Sequence, residues 1–403
     1  MPPRKDTALS AAKTSAAAAA GLAFAWLACL IMMYRQHAWI LDKTGRPLVT
    51  DFLEVWVAGR TALSGTAAAA YDPRLHHAAQ AVAVGHDFHG YLWWHYPPVV
   101  LFLAAALALL PYLAAFLVWV ASTLAFYSAS ISQIAGTRFA GLLACAMPAV
   151  FVNAMIGQNG FLTATLIGLA LVNLEMRPVL AGVFVGLLTY KPQFGILFPL
   201  VLVASGDWKA FCSATAVAVA AVVVPSLVFG GETIRAFLHF LPQANDSLLV
   251  HGAAGWNKLQ TVYGLLRWLG YDHFVASADQ AMLCVTVAAA LAWLWRTKVP
   301  FELKAAALAT AVLFATPYTY MYDLPILAVP LAFLYRQRHF ETVELAAIAF
   351  ATVCMLGFVF NLLVIPIGCV SAAIVGMIVI RRIWKLQPIT IPQLVGVQVP
   401  EVV

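Results

Sequence analysis

The chain has 403 residues, 63% of them hydrophobic and 10% charged, with a mean hydropathy of +0.88 and a formal net charge of +6. Soluble domains carry about 25% charged residues, so the composition excludes a soluble globular protein. The positive excess gathers at the ends of apolar runs, as membrane insertion requires, and needs no nucleic-acid partner.

Residues 1–16, with Arg4, Lys5 and Lys13, read as a cytoplasmic tail. The run "AAAAAGLAFAWLACLIMMY" that follows is longer than the core of a cleavable signal peptide and ends without a small-residue site. It reads as a retained first span running outward. That leaves residues 35–97 as a long extracytoplasmic loop. Within it, Asp51–Ser64 is patterned as an amphipathic helix, with Thr50 as N-cap and Gly65 as stop. Phe52, Val55, Trp56 and Gly59 recur at helical spacing, which suits a helix lying along the membrane interface. Asp51 and Glu54 share one face. Either they only favour the positive end of the helix, or Asp51 is a general base.

The loop closes in "FHGYLWWHYPPVVLFL", where Trp93, Trp94 and Tyr96 suit an aromatic belt and Pro97-Pro98 marks re-entry into the bilayer. Residues 98–111 are too short to span and read as part of one broken helix with 113–132. The turn "GQNG" (157–160) offers Gln158 and Asn159 without charge. Next, Thr189–Gln193 interrupts an apolar run with Tyr190, Lys191, Pro192 and Gln193. A lysine left unpaired in hydrocarbon costs roughly 2.5–3.5 kcal/mol. Either it snorkels from a helix end, or it meets an anion, and lipid phosphate is the anion found there. Tyr190 and Gln193 would then add hydrogen bonds, and Pro192 would fix the turn.

The later loop, 230–274, interleaves Asn257, Lys258, Gln260 and Arg267 with Trp256, Tyr263 and Trp268. This is either a wandering surface loop or the mixture of aromatic faces, amides and cations with which proteins hold sugars and phosphates. "TPYTYMYDLP" supplies Tyr318, Tyr320, Tyr322 and Asp323. Arg296–Lys298, Arg336–Arg338 and Arg381–Lys385 belong on the cytoplasmic side, followed by a cytoplasmic tail at 386–403. The parity gives an all-α polytopic membrane protein with about 12 crossings in one domain, 17–385. Its polar turns, and nine of its ten histidines, then face outward. Six cysteines lie inside apolar runs, which indicates neither a disulfide framework nor a metal site. No paired-aspartate motif or nucleotide-binding loop is seen, and no cofactor is expected.

Several motifs in order resemble glycosyltransferase family 87. They are Asp51-Phe52, Gly65, "YDP" (71–73), "YPP" (96–98), "LALLP" (107–111), "GQNG", "AGVFVGLLTYKPQ", "FGGETIRAFLHFLP" (229–242) and "NKLQTVYGLLR". The resemblance spans roughly residues 50–335 and implies a GT-C-like plasma-membrane transferase. By that resemblance, mannose on a polyprenyl phosphate would pass to a lipid or glycan acceptor outside the membrane. Asp51 would be the catalytic base, and Lys191 would lie near the donor phosphate. Tyr190, Gln193, Lys258 and Arg267 are further candidates for the phosphate. Glu54, Arg60, His95, Tyr96, Gln158, Asn159, Asn257, Tyr320 and Asp323 are candidates for substrate contact. A single carboxylate without a second nucleophile agrees with inversion. The rival class is a transporter or flippase of polyprenyl-linked sugars. It predicts internal repeats and polar groups at mid-membrane, and the sequence shows neither. A related transferase using another sugar is not distinguished.

Overall fold

A computed structural model describes residues 5–90 and 92–386; the ends of both expected tails, 1–4 and 387–403, lie outside the described residues. The chain opens with α1 (Lys5–Arg35), apolar from Ala17. The segment after it holds α2 (Asp51–Leu63), a 3-10 turn at Ala67–Tyr71 and α3 (Pro73–Val84). Pro111 separates α4 (Val100–Ala108) from α5 (Tyr112–Ala135). Helices α6 (Arg138–Cys145) and α7 (Pro148–Ile156) form a pair bent by 68°, with Pro148 starting the second.

Four shorter helices follow: α8 (Gly160–Asn173), α9 (Pro178–Leu187), α10 (Pro192–Gly195) and α11 (Leu197–Ser205). Next come α12 (Trp208–Phe229), α13 (Gly231–Asn245), α14 (Val262–Trp268), α15 (His273–Trp295) and α16 (Phe301–Ala311). A 3-10 segment, Met321–Leu327, leads into α17 (Ala328–Gln337), and α18 (Thr342–Val359) and α19 (Gly368–Leu386) complete the bundle. Among the described residues no strand forms beyond three isolated bridges.

Among the described residues five helices (α1, α5, α12, α15 and α18) are long and apolar enough to cross a membrane, and α6 with α7 gives a sixth if the pair is one span. Side chains such as Val219, Val222, Val223 and Leu227 on α12 are exposed, as a lipid-facing surface requires. The chain is a multi-pass membrane protein. About 12 crossings were expected from the sequence, and the other apolar runs are interrupted rather than missing. Proline starts α9 and α10, and Gly206, at φ 77°, ends α11. Of these breaks only the one before α10 carries a buried charge, Lys191; Arg177 before α9 and Gly206 after α11 are exposed.

Two expectations for the first loop are corrected. The helix at Asp51 forms, but it does not rest on a membrane surface. Phe52, Leu53, Val55, Val57, Ala58 and Gly59 are all buried, on several sides of α2. A Cβ at Gly59 would stand 2.0 Å from the Ala104 carbonyl oxygen, so α2 and α4 meet backbone to backbone. Thr50 precedes the helix without a side-chain cap and bonds the Tyr112 hydroxyl at 3.2 Å. Nor do the aromatics at 94–96 form a belt. Trp94 is 1% exposed and Tyr96 is buried, with the Tyr71 hydroxyl donating to the Tyr96 carbonyl at 2.9 Å, while Trp93 is half-buried.

The basic clusters at 336–338 and 381–385, expected on one side of the membrane, come together. Arg382 and Glu344, each 1% exposed, join α19 to α18 through Nη2–Oε2 at 2.6 Å and Nε–Oε1 at 2.9 Å. Arg381, Lys385 and Arg338 close around Glu341. Removing one partner of a buried pair leaves an uncompensated charge and costs roughly 3–5 kcal/mol. Glu344→Ala should therefore lower the unfolding midpoint in detergent, while Val222→Ala on the exposed face of α12 should not. Equal midpoints would contradict the assignment of this pair as the staple of α18 and α19.

Candidate functional site

Asp51 opens α2, where the first turn's free N–H groups favour a carboxylate. The Gln158 side-chain amide donates to Asp51 Oδ2 at 3.0 Å. Gln158 reaches it because Gly157 adopts φ 71°, and a Cβ there would lie 2.7 Å from Phe52 and from Phe116. The Trp119 indole holds the same turn by donating to the Gly157 carbonyl at 2.9 Å.

From Gln158 the polar contacts continue inward. Its Oε1 accepts from the Tyr96 hydroxyl at 3.0 Å, and that hydroxyl accepts from Asn159 Nδ2 at 2.7 Å. The Asn159 carbonyl accepts from the Tyr190 hydroxyl and from Thr163 Oγ1, both at 3.2 Å, and those two hydroxyls bond one another. Gln158, Asn159, Tyr96, Thr163 and Tyr190 are all buried, whereas Asp51 is half-buried. The chain of bonds thus runs from a buried interior to one carboxylate that remains accessible.

Lys191 follows directly. The 3-10 turn Leu188–Tyr190 ends on it, and Pro192 begins α10. Its Nζ donates to Asp323 Oδ1 at 2.7 Å, with side-chain exposures of 7% and 0%. Asp323 Oδ2 accepts from the Tyr320 backbone N–H at 3.0 Å. The ammonium also sits 5.0 Å from the Tyr322 ring centre and 5.5 Å from that of Phe194. Snorkelling is thereby excluded: the lysine is inside and paired. An ammonium has three donors, and only one makes a hydrogen bond among the described residues. Tyr320 and Tyr322 stack with centroids 5.2 Å apart. A Cβ on Gly160 would lie 1.7 Å from the Tyr322 carbonyl oxygen, so the "GQNG" turn and the tyrosine turn touch.

The first-loop carboxylates, outside the spanning helices, are unequal. Burial raises the Asp51 pKa, while its bond from Gln158 and the charges of Lys258 and Lys191 oppose the rise. Burial, then the Asp51 charge, raises Glu54 further, well above the ordinary range. Glu54 is 5% exposed and makes no hydrogen bond among the described residues. Asp51 is the better solvated and the hydrogen-bonded of the two, so its environment favours the charged form more than that of Glu54 does. Lys258 is exposed, at the end of a 3-10 turn (Trp256–Lys258). Gln260 anchors this turn by accepting from Gly368 N at 2.7 Å, donating to the Asn257 carbonyl at 2.9 Å, and bonding the Thr319 carbonyl through its backbone at 2.7 Å.

Other expected contacts fall elsewhere. Arg60 is exposed over Trp56, nine residues along α2 from Asp51, roughly 13 Å of helix. Arg267 donates to the Val250 and Tyr271 carbonyls at 2.9 and 3.0 Å and lies over Trp256, so it pins its own loop. His95 packs 5.9 Å from Phe240, and burial pushes its pKa down to about 4. Gln193 is half-buried with a free amide among the described residues. Thr163 was missed, although its i+4 spacing from Asn159 places both on one helix face. Trp119 carried no local signal. Among the described residues no group of three or more His, Cys, Asp or Glu is placed to hold a metal ion.

Apolar helices around a buried polar network, with a half-buried carboxylate at one end and a paired lysine inside, define a multi-pass membrane protein with an internal polar site. The model of glycosyltransferase family 87 matches residues 94–317, and the chain belongs to that family. It is therefore a membrane glycosyltransferase. The match takes in Tyr96, Gln158, Asn159, Tyr190, Lys191 and Lys258, while Asp51 and Asp323 lie outside it. Comparisons with curated proteins and with solved structures found no match.

Gly160→Ala should force the two turns apart. Overpacking of this kind costs about 1–3 kcal/mol, so the unfolding midpoint and transferase activity should fall together. A variant with wild-type values of both would show that the turns do not depend on their contact.

Proposed function

We propose that the protein moves a sugar, mannose in our reading, from a polyprenyl-phosphate donor to a lipid or glycan acceptor on the extracytoplasmic side of the plasma membrane, with inversion. The carrying observation is that the hydrogen-bond chain from Asp51 and the Lys191–Asp323 pair share one enclosure through the contact of Gly160 with Tyr322. The GT-C-like lineage and the polyprenyl-phosphate donor rest on the sequence motifs.

In this reading the Asp51 carboxylate takes the proton of an acceptor hydroxyl. The hydroxyl oxygen attacks the anomeric carbon from the face opposite the phosphate. The bond from that carbon to the phosphate oxygen breaks, and its electron pair leaves with the lipid phosphate. The raised pKa of Asp51 makes it a stronger base than an exposed aspartate. Gln158 aims the carboxylate, and burial disfavours a second charge on Glu54 beside it. The unused donors of Lys191 stabilise the departing phosphate, and Lys258 adds a second cation at the rim. Asp323 keeps the ammonium in place before the donor arrives. The stacked Tyr320 and Tyr322 offer an apolar wall to the sugar ring. The outer location is supported by α13 packing on the 3-10 turn Ala67–Tyr71, which joins the two loops that charge parity puts on the same side.

The test uses protein in lipid nanodiscs, radiolabelled polyprenyl-phosphate-mannose and a membrane extract as acceptor. Asp51→Asn should lose about 10²–10⁴-fold in kcat, and unchanged turnover would end the general-base assignment. Lys191→Ala should raise the KM for the donor and lower kcat; an unchanged donor KM would remove the phosphate assignment. For wild type the sign of the pH dependence follows from Asp51. Its carboxylate form is required and its pKa is raised, so kcat/KM should fall with decreasing pH through a point above the usual carboxylate range and level off above it. A limb at or below the ordinary aspartate value would contradict this.

A further inference from the structure

A separate groove of about 630 Å³ opens between the 3-10 turn Ala67–Tyr71 and α13. One wall is built of small residues, Gly65 to Ala69. The other is a stripe of α13 in which Glu232, Ala236, His239 and Gln243 follow at i, i+4, i+7 and i+11, the spacing of one helix face. Ala236 leaves a gap in the middle of that stripe. Tyr71 and Phe240 are buried beneath, their rings 6.4 Å apart.

The lining chemistry narrows the ligand. Glu232, His239 and Gln243 are exposed, and their side chains make no hydrogen bond or ion pair among the described residues. Asp72 is partly committed, since its side chain accepts from the Arg74 and Leu75 backbone N–H groups. No lysine or arginine lines the groove, and two carboxylates do. A phosphate or an anionic lipid headgroup would be repelled there. An uncharged polyol is accepted: its hydroxyls donate to carboxylate, amide and imidazole, and its apolar faces rest on rings. The volume lies in the range of small-molecule sites.

The position relates the groove to the chemistry. Gly65 lies just beyond the end of α2 and Asp51 begins it, a separation of about 20 Å along the helix. Tyr71 forms part of the floor, and its hydroxyl bonds the Tyr96 carbonyl, whose own ring reaches the Asp51 chain. We propose that this groove is a remote acceptor subsite for an uncharged oligosaccharide segment, several sugar units from the hydroxyl that reacts at Asp51. The proposal rests on the transferase reading above and adds a preference for extended glycan acceptors.

The test is saturation-transfer NMR on the full-length protein in nanodiscs, with mannotetraose as probe and glycerol phosphate as the anionic control. Wild type should transfer saturation to mannotetraose and not to glycerol phosphate. Ala68→Trp, which fills the groove, should abolish the signal, and Gln243→Ala, at an exposed position, should weaken binding about tenfold. If Ala68→Trp fails to fold, Gln243→Ala and Glu232→Gln still decide. No signal with wild type, equal binding by wild type and variants, or preference for glycerol phosphate would overturn the proposal. Donor turnover measured on the same samples separates the two readings. Oligosaccharide binding without any transfer would overturn the donor chemistry alone, and transfer without such binding would overturn the groove alone.

Discussion

An ammonium and a carboxylate 132 residues apart meet where neither reaches water, and much of the site's architecture follows from that meeting. Lys191 cannot remain inside an apolar bundle without a counter-charge, since the cost of an unpaired buried ion runs to several kcal/mol. The turn that carries it must therefore be pressed against the turn that carries Asp323. Gly160 is the residue that lets the third turn join them, because any side chain there would strike the Tyr322 carbonyl. Once those turns are in register, Tyr190 reaches the Asn159 carbonyl and Tyr96 reaches Gln158 and Asn159. Asp51 then receives its hydrogen bond at the end of the series.

The broken helices are the structural means to this end. Straight spans would carry only side chains into the interior. The interruptions at Gly157, Lys191-Pro192 and Thr316–Tyr320 bring backbone amides and carbonyls as well. Such backbone is affordable at membrane depth only when enclosed, and α2 together with the Trp94–Tyr96 stretch supplies much of the enclosure. At the other pole of α18 and α19, the Glu344–Arg382 pair fastens the helix ends. One buried ion pair thus organises the polar site and another the distal end of the C-terminal helices.

What the sequence made legible follows periodicity and local chemistry. The apolar runs, the helix beginning at Asp51 and the polar turns at 157–160, 189–193 and 318–323 are visible from composition and spacing. The motif order pointed to a family whose model matches 94–317. What stayed hidden was mostly long-range. Lys191 and Asp323 were each recognised, but as separate substrate contacts, because no local pattern pairs residues so distant. Trp94 and Tyr96 suit an interfacial belt by composition, and only their burial in the folded chain shows that they are drawn inside. Arg267 reads in the sequence as a phosphate ligand, and nothing local shows that two of its donors go to the Val250 and Tyr271 carbonyls. Thr163 is the exception, since its helical spacing from Asn159 was there to be read.

The most direct measurement is a cryo-EM structure of Asp51→Asn in nanodiscs with polyprenyl-phosphate-mannose bound. The account predicts the donor phosphate at about 3 Å from Lys191 Nζ, the distance of a charge-assisted hydrogen bond. It also predicts the anomeric carbon open to residue 51 on the side away from the phosphate. A headgroup seated away from Lys191, with the Lys191–Asp323 pair undisturbed and no path from the sugar to residue 51, would contradict it.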